Sequence, residues 1–207
     1  MARYFDVHPK DPQPRALTQL VDLLNAGALI AYPTDSGYAL GCQLGNREGL
    51  DRIRALRQLD DHHHFTLVCS EFAQLGQYVQ MDNDVFRAVK ANTPGAYTFI
   101  LKATREAPKA MLHPKKKTVG VRLPNHVATL ALLRALGQPL MSSTLILPGS
   151  QEPLTEGWVV DSEVGSLVEA VVDSGDCGTD PTTVVDLSGE APVIVRSGAG
   201  DPSPFEG

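Results

Sequence analysis

Four places in the chain gather residues able to hold an anion or orient a polar ligand, and each lies at the end of an apolar run. In PTDSGYALGC, residues 33–42, the sequence passes from Pro33 through Thr34, Asp35, Ser36 and Tyr38, with Gly37 and Gly41 between and after them. Hydroxyls in that pattern can orient a ligand, and an Asx-type turn accounts for the same residues. VGVRLPNH sets Arg122 inside a run of Val and Leu. A guanidinium buried there needs an anionic partner, from the protein or from a ligand. SSTLILPGS places Ser142, Ser143 and Thr144 side by side, a row that ordinary half-buried strands also carry. PTTVVDL and VIVRSGAG supply Thr182, Thr183, Asp186 and Arg196. An Arg before Ser-Gly at a strand exit can offer a phosphate both its guanidinium and backbone N–H groups. The common chemistry is recognition of a phosphate-bearing anion, above all a nucleotide.

Other clusters read differently. His62, His63 and His64 are consecutive, and adjacent side chains in extended backbone point to alternate faces, so the three cannot converge on one metal ion. A solvated loop is expected there, with His64 turned towards the nucleotide. Lys115, Lys116 and Lys117 end a segment, 102–117, with six basic residues against the one acid Glu106. That clustering permits contact with RNA phosphates, although a solvated loop explains it equally. From Ala135 to Val195 there is no Lys or Arg, and the net charge is −6, which excludes a binder relying on overall positive potential. Trp158, in the acidic stretch, is expected to pack.

Positioning these residues requires alternating elements. The pattern predicts helices over 12–27, with Leu17, Leu20, Val21 and Leu24 on one face, over NREGLDRIRALR, over NDVFRAVKAN and over HVATLALLRALG. It predicts strands over ALIAYP, FTLVCS, YTFILKA, TVGVRLP, PLMSSTLI, VEAVVDS, TTVVDL and PVIVR. The last two are too close for an intervening helix, so the sheet is parallel in part and antiparallel near its end. The expectation is one α/β domain, 1–207, an open twisted mixed sheet with helices on its faces. With 43% hydrophobic residues the chain can bury a substantial core. No apolar run is long enough to span a bilayer, and Cys42, Cys69 and Cys177 form no C-x-x-C pair. A cytoplasmic protein without a membrane segment or disulfide framework is expected.

Taken in order, the pieces resemble the YrdC/YciO family, threonylcarbamoyl-AMP synthases and their relatives. The family's P-T-D-T-x-Y-G-L-G is similar to PTDSGYALG, its W-P-G-P-x-T-x-I-L to TPGAYTFIL at 93–101, and its G-x-R-x-P-x-H to Gly120, Arg122, Pro124 and His126. Its S-T-V-V-D resembles TTVVD at 182–186, and its final R-P-G resembles Arg196, Ser197 and Gly198. Two departures point to the YciO branch: in RQLDDHHHF, Arg57 stands for the Lys of K-x-R-P while Leu59 and Asp60 replace its Arg and Pro, and Thr144 and Ile146 replace the S-x-N.

The resemblance implies a YrdC/RibB-like fold, with ATP or AMP and L-threonine as partners and Mg²⁺ accompanying the phosphates. It implies that Thr34, Tyr38, Arg122 and Thr182 hold the amino acid, and that Arg57, His64, Ser142, Thr144 and Arg196 face the nucleotide. No residue set forms a dedicated metal cage. The implied activity is nucleotidyl transfer from ATP to threonine and bicarbonate for tRNA modification, weakened where the two motifs depart. The alternative is a tRNA- or double-stranded-RNA-binding module of the same fold.

Overall fold

The computed structural model describes residues 1–60, 63, 65–175 and 177–206. In chain order the elements are β1 (Arg3–Asp6), α1 (Pro14–Asn25), β2 (Leu29–Thr34), β3 (Gly37–Gln43), α2 (Arg47–Arg57), β4 (Thr66–Val68), α3 (Phe72–Tyr78), α4 (Asn83–Ala91), β5 (Tyr97–Lys102), β6 (Thr118–Arg122), α5 (Val127–Leu136), β7 (Leu140–Thr144), α6 (Gly157–Val164), β8 (Ala170–Asp173), β9 (Thr183–Asp186) and β10 (Val193–Arg196). Helix starts follow capping chemistry: Asn46 accepts from Gly49 N at 2.8 Å before α2, and Asp82 accepts from Asp84 N and Val85 N before α4. Gly137 takes the left-handed cap of α5.

All strands among the described residues form one sheet in the order β1-β8-β2-β3-β7-β4-β6-β5-β9-β10. The pairs β1–β8, β8–β2, β4–β6 and β5–β9 are parallel and the others antiparallel, including β9–β10 at the edge. The expected mixed α/β sheet is therefore what the chain builds.

Four elements escaped the sequence reading: β1, β3, α3 and α6. The largest omission is β3, because PTDSGYALGC is not only a strand exit. The chain reverses at Asp35 and Ser36 and returns as β3 against β2, with Gly37 at φ +92. A Cβ on Gly37 would lie 2.6 Å from Pro153, so only glycine closes this turn. Helices α3 and α6, of seven and eight residues, are about two turns each, too short for periodicity to stand out.

Alternation divides the strand residues between two faces. One face carries Leu29, Ala31, Leu40, Leu67, Phe99, Val121, Met141 and Val185 into the main core, closed by Leu50 and Ile53 of α2, Leu75 of α3, Val89 of α4 and Val160 of α6. The other carries Ile30, Tyr32, Ala39, Leu140, Ala170 and Val172 against Leu20 and Leu24 of α1 and Ala128, Leu132 and Leu133 of α5. That second layer ends partway across. Over β4, β6, β5 and β9 the same face opens as a groove of about 370 Å³. Among the described residues no helix is long and apolar enough to cross a membrane.

Candidate functional site

The groove floor follows from which residues occupy the open face: Thr66 of β4, Gly120 of β6, Thr98 and Ile100 of β5, Thr144 of β7, and Thr182 and Val184 at β9. Hydroxyls and a glycine replace the apolar side chains found under the helices. Thr98 and Thr182 bridge neighbouring strands, Oγ1 to Oγ1, at 3.0 Å. Cations stand at the rim. Among the described residues the lining includes the guanidinium groups of Arg57 and Arg196, with His63 beside them, and no carboxylate, which gives the hollow a positive potential suited to a phosphate chain.

Arg57 reaches this face through a gap. Strand β4 stops at Thr66, opposite Ser142, so Ser143 and Thr144 have no β4 partner. There the last residue of α2 sends its guanidinium across: Arg57 Nη1 donates to Ser143 Oγ at 2.6 Å and Nε to Ile146 O at 3.3 Å. His63 Nε2 lies 3.0 Å from the same Ser143 Oγ. Partial burial draws the Arg57 pKa down to about 10. Arg196, at the end of β10, is fixed from the opposite rim, donating through Nε and Nη2 to Thr182 O at 3.1 and 2.8 Å. Desolvation lowers its pKa, and so does the charge of Arg122. The expected backbone cradle after Arg196 is absent at Gly198, whose N–H donates to Thr183 Oγ1 at 2.9 Å. A Cβ there would come within 2.2 Å of Pro181 O, so this glycine serves close packing.

Behind the groove a smaller cavity of about 30 Å³ is lined by Tyr32, Thr66, Thr98, Arg122, Ser142 and Thr144, among others. Arg122 is 6% exposed, and its need for an anion is met from within: Nη2 is paired with the Asp35 carboxylate. Asp35 also accepts from Asn125 N at 3.0 Å. Burial lowers the Arg122 pKa and Asp35 opposes the shift. Its Nη1 lies 3.5 Å from Thr34 Oγ1, and Nε has no hydrogen-bond partner. Ser142 Oγ donates to Leu40 O at 2.8 Å and lies 2.7 Å from the Tyr32 hydroxyl, which burial pushes up to about 12.

Of the residues singled out in the sequence, Arg57, Thr144, Thr182 and Arg196 line the groove, and Arg122 and Ser142 line the cavity behind it. Thr34 sits against Arg122. Tyr38 is not brought to them. It pairs with Pro33 while Thr34 pairs with Gly37, and directly opposed antiparallel residues share a face, so Tyr38 points to the main core. His64 lies outside the described residues. The exposed turn Lys115–Lys117 leads into β6, and Lys116 Nζ is 3.6 Å from Asp186 Oδ2, beside Lys102. Sequence reasoning missed Thr66, Thr98, His63 and the linking role of Ser143, because nothing in the Ser-Ser-Thr row tells which hydroxyl meets the gap. Trp158 does not pack: it is 67% exposed.

Comparison with known proteins places these features in context. The Sua5/YciO/YrdC family model, described as telomere recombination, matches residues 22–198. The YciO protein of Escherichia coli K12 is 44% identical over 205 residues, 99% of this chain and 100% of its own length. The crystal structure of E. coli YciO superposes with a TM-score of 0.96 over the whole of both chains. A threonylcarbamoyl-AMP synthase of Vibrio vulnificus YJ016 is 30% identical over 159 residues, covering 75% of this chain and 84% of the synthase. P. abyssi Sua5, in a structure complexed with L-threonine, shares 22% identity and the fold, with a TM-score of 0.87 over 95% of this chain and 58% of its own.

Proposed function

The chain belongs to the Sua5/YciO/YrdC family, and from that premise we propose that its groove binds ATP and L-threonine and slowly forms threonylcarbamoyl-AMP. The observation that carries this reading is the meeting of Arg57 and Arg196, from α2 and β10, over a hydroxyl floor with no carboxylate among the described residues. In the reaction threonine nitrogen is first carboxylated by bicarbonate with loss of water. A carbamate oxygen then attacks the α-phosphorus of ATP, and the bond to the bridging oxygen breaks to release pyrophosphate. Charge gathers on that leaving group, where fixed guanidinium groups are most effective. Arg57 and Arg196 take that role, while Thr98, Thr144 and Thr182 orient the phosphates and the amino acid.

Threonine binding is supported by the P. abyssi Sua5 complex and by Arg122, whose unpartnered Nε faces no acceptor in the protein. A carboxylate reaching it shares Arg122 with Asp35. Mg²⁺ arrives on the triphosphate, since no group of three His, Cys, Asp or Glu suited to a metal occurs among the described residues. Ile146 lines the groove where the synthase pattern has an amide. Loss of such a hydrogen bond is worth about 0.5–1.5 kcal/mol, consistent with a slow enzyme.

The test is pyrophosphate release at high enzyme concentration with ATP, Mg²⁺, bicarbonate and threonine. Threonine-dependent release is expected. Release at background despite an ATP-induced rise in Tm removes catalysis while leaving nucleotide binding. A second reading, contact with tRNA or double-stranded RNA, is favoured by the exposed basic turn at Lys115–Lys117. It requires tRNA affinity that falls as salt rises.

A further inference from the structure

Carboxylation of threonine releases a proton, and the groove's own chemistry limits what can receive it. Threonine enters as an ammonium. Of its nitrogen protons, one stays on the carbamate, one departs in water with the hydroxyl of bicarbonate, and one must go to a base. Among the described residues the ionisable groups of the lining are Arg57, His63 and Arg196, with no carboxylate. A guanidinium keeps its proton at neutral pH. That leaves His63, whose imidazole is of the type that changes charge in this range.

Thr66, Thr98, Ser143 and Thr144 line both the groove of Arg57 and Arg196 and the smaller cavity of Arg122, so these hydroxyls stand where amino acid and phosphates meet. That of Ser143 is joined to the imidazole, with Oγ 3.0 Å from His63 Nε2. Arg57 Nη1 donates to the same Oγ at 2.6 Å. Ser143 is 4% exposed, and a guanidinium has no acceptor to offer. The hydroxyl proton therefore points at Nε2, because any other arrangement leaves it buried without an acceptor. His63 thus carries its ring proton on Nδ1 and keeps the Nε2 lone pair for Ser143. The ring is braced where it stands: His63 N donates to Asp60 O at 3.3 Å, and Phe65 meets the imidazole edge-on with centroids 5.5 Å apart. Among the described residues the charged groups sharing the groove with it are Arg57 from α2 and Arg196 from β10, and its own loop carries Asp60. Strands β4, β5, β6, β7 and β9 bring no titratable side chain to the lining.

We propose that Ser143 and His63 form a proton relay for carbamate formation: the threonine ammonium gives a proton to Ser143 Oγ as the hydroxyl proton passes to His63 Nε2. The freed nitrogen then bonds to the bicarbonate carbon, and the bond from that carbon to its hydroxyl breaks to release water. The imidazolium left behind adds positive charge beside the phosphates, and it returns its proton to the pyrophosphate as that group departs. Ser143 touches the substrate, and His63 acts through it. This role rests on the reaction given to the groove.

Pyrophosphate release by the wild type and by His63→Gln is compared between about pH 6 and pH 9, the range over which imidazole changes charge, with ATP, Mg²⁺, threonine and bicarbonate saturating. The ratio of the two rates at each pH cancels the titration of the free substrates. It should reach about a hundredfold at the alkaline end and fall towards one as acid protonates the wild-type base, while ATP raises the Tm of both proteins alike. Added imidazole should restore part of the rate lost in His63→Gly. A histidine that only props the loop gives neither result, so a ratio that is constant with pH, or near one throughout, overturns the relay. Independently of turnover, ¹⁵N NMR of histidine-labelled protein should show His63 Nε2 without a proton at alkaline pH, and a protonated Nε2 overturns the relay as well. Wild-type protein that releases no threonine-dependent pyrophosphate at any pH strikes the groove reaction and the relay together, whereas the other failures strike the relay alone.

Discussion

Along the face that carries α1 and α5, strands β8, β2 and β3 present Ala170, Val172, Ile30, Tyr32 and Ala39. Two strands further on, the same face presents Thr66, Gly120, Thr98 and Thr182. The change happens within a single strand, since Leu140, Ser142 and Thr144 of β7 share this side, the first under the helices and the last in the groove. Where apolar side chains stand in register, a helical layer is held by their burial. Where hydroxyls and glycine replace them, nothing apolar is gained by covering the sheet, and the open face serves a polar ligand. Arg122 stands at the seam, and its ion pair joins β6 to the β2–β3 turn.

The seam gives the largest expected effect. Asp35→Ala leaves a nearly buried guanidinium without its anion, and removal of one partner of such a pair destabilises by about 3–5 kcal/mol. Urea unfolding measures it. A loss below about 1 kcal/mol would mean that Arg122 is hydrated in solution and does not divide the two halves.

The next effect tests the halves directly. Leu132, on the sheet-facing side of α5, is 2% exposed, and Leu132→Ala should cost about 2–5 kcal/mol. Thr98→Val, nearly isosteric on the bare half, loses only its bond to Thr182 and should change stability by about 1 kcal/mol or less. In the same variant ATP affinity should fall. Equal destabilisation by both substitutions would show that the groove floor is core in all but composition.

Much of this division was legible in the sequence, and the illegible part has a definite cause. Helices α1, α2 and α5 showed their apolar stripes, and the arginines stood out because a cation within an apolar strand is costly. Arg122 was identified correctly as needing an anion, but Asp35 could supply it only once the chain was known to reverse at Asp35 and Ser36. The same hidden turn decides the side of Tyr38, which the resemblance alone groups with the amino-acid ligands, since a two-residue reversal fixes which residues oppose each other and therefore which face each takes. Trp158 resisted for another reason: exposure of an aromatic depends on what the rest of the fold leaves uncovered, and an eight-residue helix says little about that.

The smallest expected effect concerns how cations from the covered side enter the bare one. Ser143 Oγ accepts from Arg57 and contacts His63 at the gap beyond β4. Ser143→Ala removes that acceptor while Arg57 keeps its bond to Ile146 O, so the guanidinium should remain in place but turn more freely. One charge-assisted hydrogen bond lost corresponds to about 1.5–3 kcal/mol at most, and the orienting share of it should appear as roughly tenfold weaker ATP binding by calorimetry. Ser143→Thr keeps the oxygen and should retain the affinity. If alanine binds ATP as tightly as serine, Arg57 is aimed by the nucleotide itself, and the gap beyond β4 is merely a place where the sheet ends.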